Sequence, residues 1–131
     1  MGTDAALVER LLDAFARRDA DALGRMVAED CLFEPLSTEA AERGAYHGRE
    51  AMRSYLDDLA ETWRQFDLSV GSLEEVNGHV LVTGRIYARA RASSLVADDP
   101  VAFAWKVVNG RASWGKVFLS EAAARRAIDT T

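Results

Sequence analysis

Few residues in this 131-residue chain are of a type and spacing that could do chemistry. It holds one cysteine and two histidines, and no pair of His, Cys, Asp or Glu has the spacing of a metal site. It has neither a glycine-rich phosphate loop nor a nucleophile elbow. No cofactor and no metal are therefore expected. The first candidate is Glu34, next to Pro35 at the end of a short apolar run. At the mouth of an apolar cavity a carboxylate has a raised pKa and serves as acid or base near neutral pH. The alternative is an outward-facing glutamate on an edge strand, since parity groups Cys31, Phe33 and Pro35 on the other face. Tyr46 and His47 come next: the phenol can assist proton transfer, and an imidazole titrates near ~6.5. His47 reads first as a polar turn residue, and His79, after a turn, as solvated. The Tyr55 hydroxyl is the polar handle of an otherwise apolar set. That set, Phe15, Phe33, Tyr55, Leu59, Trp63, Phe103 and Trp105, would wall a cavity for a small hydrophobic ligand; its alternative is plain core. Cys31 reads as a buried small hydrophobe.

These residues need elements to position them. Leu7, Val8, Leu11, Leu12 and Phe15 form one stripe at helical spacing, with Thr3 or Asp4 as cap. Asp19 can cap a second short helix burying Leu23, Met26 and Val27. Cys31–Glu34 reads as a strand ended by Pro35, and residues 36–45 as a loop. From Arg49 to about Arg64, Met52, Tyr55, Leu56, Leu59 and Trp63 fall on one face, opposite Arg53, Asp57, Asp58 and Glu61. After Gln65 the period changes from 3.6 to 2, and a strand runs to about Val76. Asn77-Gly78 and Asn109-Gly110 each predict a type I′ hairpin turn, between strands over about 79–92, 101–108 and 111–119. Ser120-Glu121 caps a last short helix. Helices followed by antiparallel hairpins, without a βαβ repeat, predict an α+β fold.

Parity also predicts which sheet face is inside. In 79–92 the even set is Val80, Val82, Gly84, Ile86, Ala88 and Ala90, whereas the odd set holds Arg85, Tyr87, Arg89 and Arg91. The even set can lie against helices without stranding guanidinium groups. Gly84 either bends this strand or leaves room beside a ligand. Segments 79–92 and 101–119 contain no aspartate or glutamate, so a carboxylate acting inside is expected from the first strand, the helices or the loops. Arg85, Arg89, Arg91, Lys106 and Lys116 share the outer face with Tyr87, Trp114 and Phe118. Exposed aromatics on a sheet want cover, so a homodimer through Tyr87, Trp114 and Phe118 is the expected partner; a solvated face is the alternative.

Composition narrows the class. A 49% apolar, 28% charged chain of this length is one folded domain over 1–131. Acids outnumber bases 17 to 8 in residues 1–78 and are outnumbered 4 to 8 in 79–131. The net charge of −5 argues against a nucleic-acid partner. No stretch approaches the ~20 apolar residues of a membrane span, and no signal peptide is read at the N-terminus. With one cysteine, a cytoplasmic protein is expected.

The order of landmarks resembles the nuclear-transport-factor-2-like superfamily, and within it the SnoaL-like and ketosteroid-isomerase-like domains. The landmarks are the helix Leu7–Phe15, Asp19–Leu23, Val27–Asp30, Glu34-Pro35, His47-Gly48-Arg49-Glu50 opening the long helix, and four closing strands. The resemblance implies a cone in which a strongly curved, mostly antiparallel sheet wraps the long helix around an apolar cavity. It implies proton-transfer chemistry of isomerase, cyclase or dehydratase type on a carbonyl or polyketide-like substrate, with Glu34 as acid/base and Tyr55 or Tyr46 assisting, or else a non-catalytic ligand-binding or dimerisation domain. The isomerase pattern is departed from: Leu11 stands at its helix tyrosine and Phe103 at its strand aspartate, and neither donates a hydrogen bond. Its base position falls on Glu34 or Pro35. The epoxide-hydrolase and cyclase patterns place acids on the late strands, where none is expected here.

Overall fold

The computed structural model describes residues 2–35 and 45–130; the loop expected over 36–45 lies, save Ala45, outside the described residues. Helix α1 (Thr3–Ala16) buries its whole predicted stripe, Leu7, Val8, Leu11, Leu12 and Phe15. Its N-cap is Gly2 rather than Thr3 or Asp4, and the Gly2 N–H donates to Glu75 Oε2 at 3.0 Å. Asp19 caps α2 (Ala20–Met26) by accepting from the Ala22 N–H at 3.0 Å. Val27, expected on that helix, opens β1 (Val27–Glu34). After β2 (Tyr46–His47) comes α3, Ala51–Thr62, shorter at both ends than expected. Trp63 is not on its stripe. It begins β3 (Trp63–Val76), because pairing of Trp63 with Ala90 and Gln65 with Arg89 draws these residues into the sheet ladder.

Both hairpin turns form as the sequence predicts. Asn77 and Gly78 have φ of 48° and 76°, Asn109 and Gly110 of 52° and 76°, the double positive φ of a type I′ turn. Strands β4 (His79–Ala90), β5 (Val96–Val108) and β6 (Arg111–Phe118) follow. Helix α4 (Glu121–Asp129) is capped by Ser120. Strand β5 starts five residues before the expected Val101, since the β4 ladder continues through Ile86–Asp99 and Ala88–Ala97.

The six strands form one open sheet in the order β2-β1-β6-β5-β4-β3. Only β1 and β6 run parallel. A Cβ on Gly84 would lie 2.2 Å from the Ser69 carbonyl oxygen, beside a register shift between Val70 and Ser72. So Gly84 lets two strands approach where the sheet bends.

The inner face is the one parity predicts. Val80, Val82, Ala88, Val101, Phe103 and Trp105 are buried with α1, α3 and β1, while Arg85 and Arg89 are exposed. The outer face departs from expectation at one end. There α4 packs on the sheet, and Leu81, Ala102, Ala104, Ala124 and Ile128 make a second apolar cluster, with Trp114 and Phe118 partly buried against it. His79, expected to be solvated, is 6% exposed; its ring meets Trp114 edge-on at 6.0 Å. Helix α4 covers a surface that strand parity alone reads as open. No helix among the described residues is long and apolar enough to cross a membrane.

Candidate functional site

Two hollows that share Tyr55 and Phe66 as walls lie between the inner sheet face and the helices. The deeper one, about 20 Å³, is walled by Leu11, Leu12 and Phe15 from α1, Phe33 from β1, Met52 and Tyr55 from α3, Phe66 and Leu68 from β3, and Phe103 and Trp105 from β5. The outer one, about 140 Å³, shares Tyr55 and Phe66 and opens past Leu59, Trp63, Ile86, Ala97, Asp99, Val101, Val117 and Leu119. Every residue expected to wall a cavity, Phe15, Phe33, Tyr55, Leu59, Trp63, Phe103 and Trp105, borders one of these two spaces. The aromatic rings support one another: Phe33 stacks on Trp105 at 5.7 Å and lies 4.8 Å from Tyr55. Arg18 closes the side. Its guanidinium sits 5.0 Å from the Phe15 ring centre and donates to the carbonyls of Phe15 and Phe66.

The polar groups are few. Tyr55 is buried, and desolvation, reinforced by Tyr46 and opposed by Arg18, pushes its hydroxyl above the ordinary tyrosine range. It stays protonated and remains a donor. Trp105 Nε1 is the one buried side-chain polar atom without a hydrogen-bond partner among the described residues. Asp99 is the only carboxylate among the described residues that borders either hollow. It lies on the strand face of Ala97, Val101, Phe103 and Trp105. Its neighbour Asp98 turns to the other face, where Arg85 Nε donates to it at 2.8 Å. No cation pairs with Asp99 among the described residues.

Glu34 is elsewhere. Strand β1 alternates, so Cys31 and Phe33 face the core and Leu32 and Glu34 face away. In the β1–β6 register Glu34 sits opposite Lys116 and Leu32 opposite Trp114. Trp114 Nε1 donates to Glu34 Oε2 at 2.9 Å, and Lys116 Nζ lies 3.7 Å from Oε1. The carboxylate lies on the outer sheet face and borders neither hollow, which removes the basis for an acid/base there. Tyr46 also falls short: its hydroxyl donates to Asp58 on α3, and its ring packs behind Tyr55 at 5.6 Å. His47 is exposed. Cys31 is buried as expected, and desolvation with the nearby Asp30 charge pushes its thiol up to about 11.

Asp99 is the residue that sequence reasoning missed. It precedes Val101, where the expected strand begins, whereas the β4 ladder continues through it. The signal was the parity itself: counting back by two from Trp105 through Phe103 and Val101 reaches Asp99. No group of three or more His, Cys, Asp or Glu among the described residues could hold a metal ion.

Residues 8–114 match the family model of the SnoaL-like domain. No curated protein matches the chain. Among solved structures, an NTF2-like protein of unknown function from Burkholderia pseudomallei is similar at 20% identity and TM-score 0.79, over 98% of both chains. TerC, co-crystallised with polyporic acid, is similar at 14% identity and TM-score 0.76, over 98% of this chain and 99% of its own. A ketosteroid-isomerase-like fold from Catenulispora acidiphila, in complex with trimethylamine, is similar at 14% identity and TM-score 0.73, over 90% of this chain and 88% of that one. At these identities the likeness is one of fold.

Proposed function

The chain belongs to the SnoaL-like domain family, and from that premise we propose that it binds a small, largely apolar carbonyl compound between α3 and the sheet and transfers a proton on it. The observation that carries the reading is the pairing of one carboxylate, Asp99, with one protonated phenol, Tyr55, on walls that are otherwise apolar. Asp99 takes the proton from the carbon beside the carbonyl. The C–H electrons become the enolate double bond, and Tyr55 donates a hydrogen bond to the oxygen that gains charge. In a β,γ-unsaturated substrate, return of the proton to the γ-carbon completes an isomerisation; in a β-hydroxy substrate, departure of the hydroxyl with that proton as water completes a dehydration. The similar structures that hold polyporic acid and trimethylamine support small-molecule binding.

The test needs no natural substrate. In D₂O the protein should speed exchange of the α-protons of cyclohexanone, followed by NMR. Asp99→Asn should lose roughly 10²-fold or more of that acceleration. Unchanged exchange in Asp99→Asn overturns the assignment of the base.

A second reading, a non-catalytic binding or dimerisation domain, is favoured by one observation: apolar Leu11 and Phe103 occupy the two positions where the isomerase relatives carry donors. Absence of any acceleration of exchange by the parent protein selects it. In either reading the chain pairs with a second copy through the outer sheet face. Tyr87, 38% exposed beside Arg85 and Arg89, supports this; Trp114 and Phe118 contribute less because α4 partly covers them. Sedimentation should show a dimer that Tyr87→Arg weakens.

A further inference from the structure

We infer that the ligand is a single-ring compound whose carbonyl oxygen is held at the closed end of the cavity by the indole N–H of Trp105. The inference rests on reading the cavity as a ligand site and adds to it a donor, a size and an orientation. Trp105 is 1% exposed, yet its Nε1 has no partner among the described residues. A buried donor left unmade costs on the order of 1–3 kcal/mol, and such groups in native proteins want an explanation. The ring's placement supplies one. A Cβ on Gly115 would lie 2.4 Å from Cζ3 and 2.5 Å from Cε3, so the benzo edge of the indole rests on β6. Nε1 belongs to the other ring of the indole, remote from both of these atoms. The deep hollow that Trp105 borders, about 20 Å³, has room for one oxygen-sized group.

Size and orientation follow from the two volumes. The outer hollow, about 140 Å³, compares with the ~150 Å³ engineered cavity that takes benzene; it fits one six-membered ring and is too small for a fused polycycle. With its oxygen at Trp105, such a ring lies across Tyr55, which borders both spaces, and turns a carbon beside the carbonyl toward Asp99. The indole N–H then shares with Tyr55 the charge that develops on oxygen.

Two isosteric probes test the donor: cyclohexanone, and methylenecyclohexane, which replaces C=O by C=CH₂. The three tryptophans give three indole N–H signals in a ¹⁵N–¹H spectrum. The Trp105 signal is the one missing from Trp105→Phe or, should that variant not fold, the one left in Trp63→Phe/Trp114→Phe. Cyclohexanone should move that signal downfield and bind roughly five- to tenfold more tightly than methylenecyclohexane; Trp105→Phe should abolish the preference. Equal binding of both probes with an unmoved Trp105 signal overturns the donor and leaves the cavity reading intact. Failure of either probe to perturb Tyr55, Leu59 or Val101 overturns both.

Discussion

Phe33 and Glu34 are chain neighbours on opposite faces of one sheet, and the two faces treat polar atoms differently. On the outer face, Glu34 accepts from Trp114 and pairs with Lys116, while Asp98 accepts from Arg85. On the inner face Phe33 stacks on Trp105, whose N–H has no partner among the described residues, and none of these pairs a cation with Asp99. A face that holds the fold together completes its hydrogen bonds. The inner face leaves one buried donor, the Trp105 N–H, without a partner among the described residues, and such a group wants an explanation. The position of a residue on β1 or β5 by one place decides which of these it serves.

The contrast can be broken or sharpened by substitution. Trp105→Ala removes the largest fully buried side chain and should cost about 3–5 kcal/mol of unfolding free energy. A denaturant midpoint within error of the parent would mean that the inner face does not carry the core. Gly115→Ala puts a methyl into the Trp105 ring, 2.4 Å away, and should cost about 1–3 kcal/mol; its diagnostic is a shifted Trp105 indole signal beside an unmoved Trp114. Glu34→Gln should be mild, under about 1 kcal/mol, because the Lys116 pair is partly exposed and the amide oxygen can still accept from Trp114. It should also leave α-proton exchange unchanged. A large loss of exchange in Glu34→Gln would return catalysis to the outer face.

The last effect is a pH dependence. Burial raises the Cys31 thiol from 9.0 to about 11 in the folded protein. Between those values the unfolded chain has lost a proton that the folded chain keeps, so stability falls as pH rises from about 9 to about 11. Cys31→Ala should flatten that part of the curve. Equal slopes in both proteins, measured by chemical denaturation, would show that the thiol ionises as freely folded as unfolded.

Much of this was legible in the chain. The stripe Leu7–Phe15, the Asp19 cap, both Asn-Gly turns and the uncharged parity of β4 are local signals, and each formed as read, because turn chemistry and side-chain alternation act within a few residues. The inward direction of Phe15, Phe33, Phe103 and Trp105 follows from the same alternation and helical spacing. Errors gathered where a distant partner overrides local preference. Trp63 fits a helical stripe, but Ala90 pairs with it. Asp98-Asp99-Pro100 precedes the expected strand, but Ile86 and Arg85 extend a ladder through it. His79 looks solvated, but α4, some forty residues later, lies over it.

Alternation and turn residues in the sequence by themselves determined the elements, the inner face and the aromatic composition of the cavity walls. Which carboxylate reaches the cavity was decided only by tertiary structure. A strand's starting residue and register depend on hydrogen bonds to another strand, and a shift of one residue sends a side chain to the opposite face. That dependence is why Glu34 points to the outer sheet face while Asp99, itself solvent-exposed, stands at the rim of the inner one.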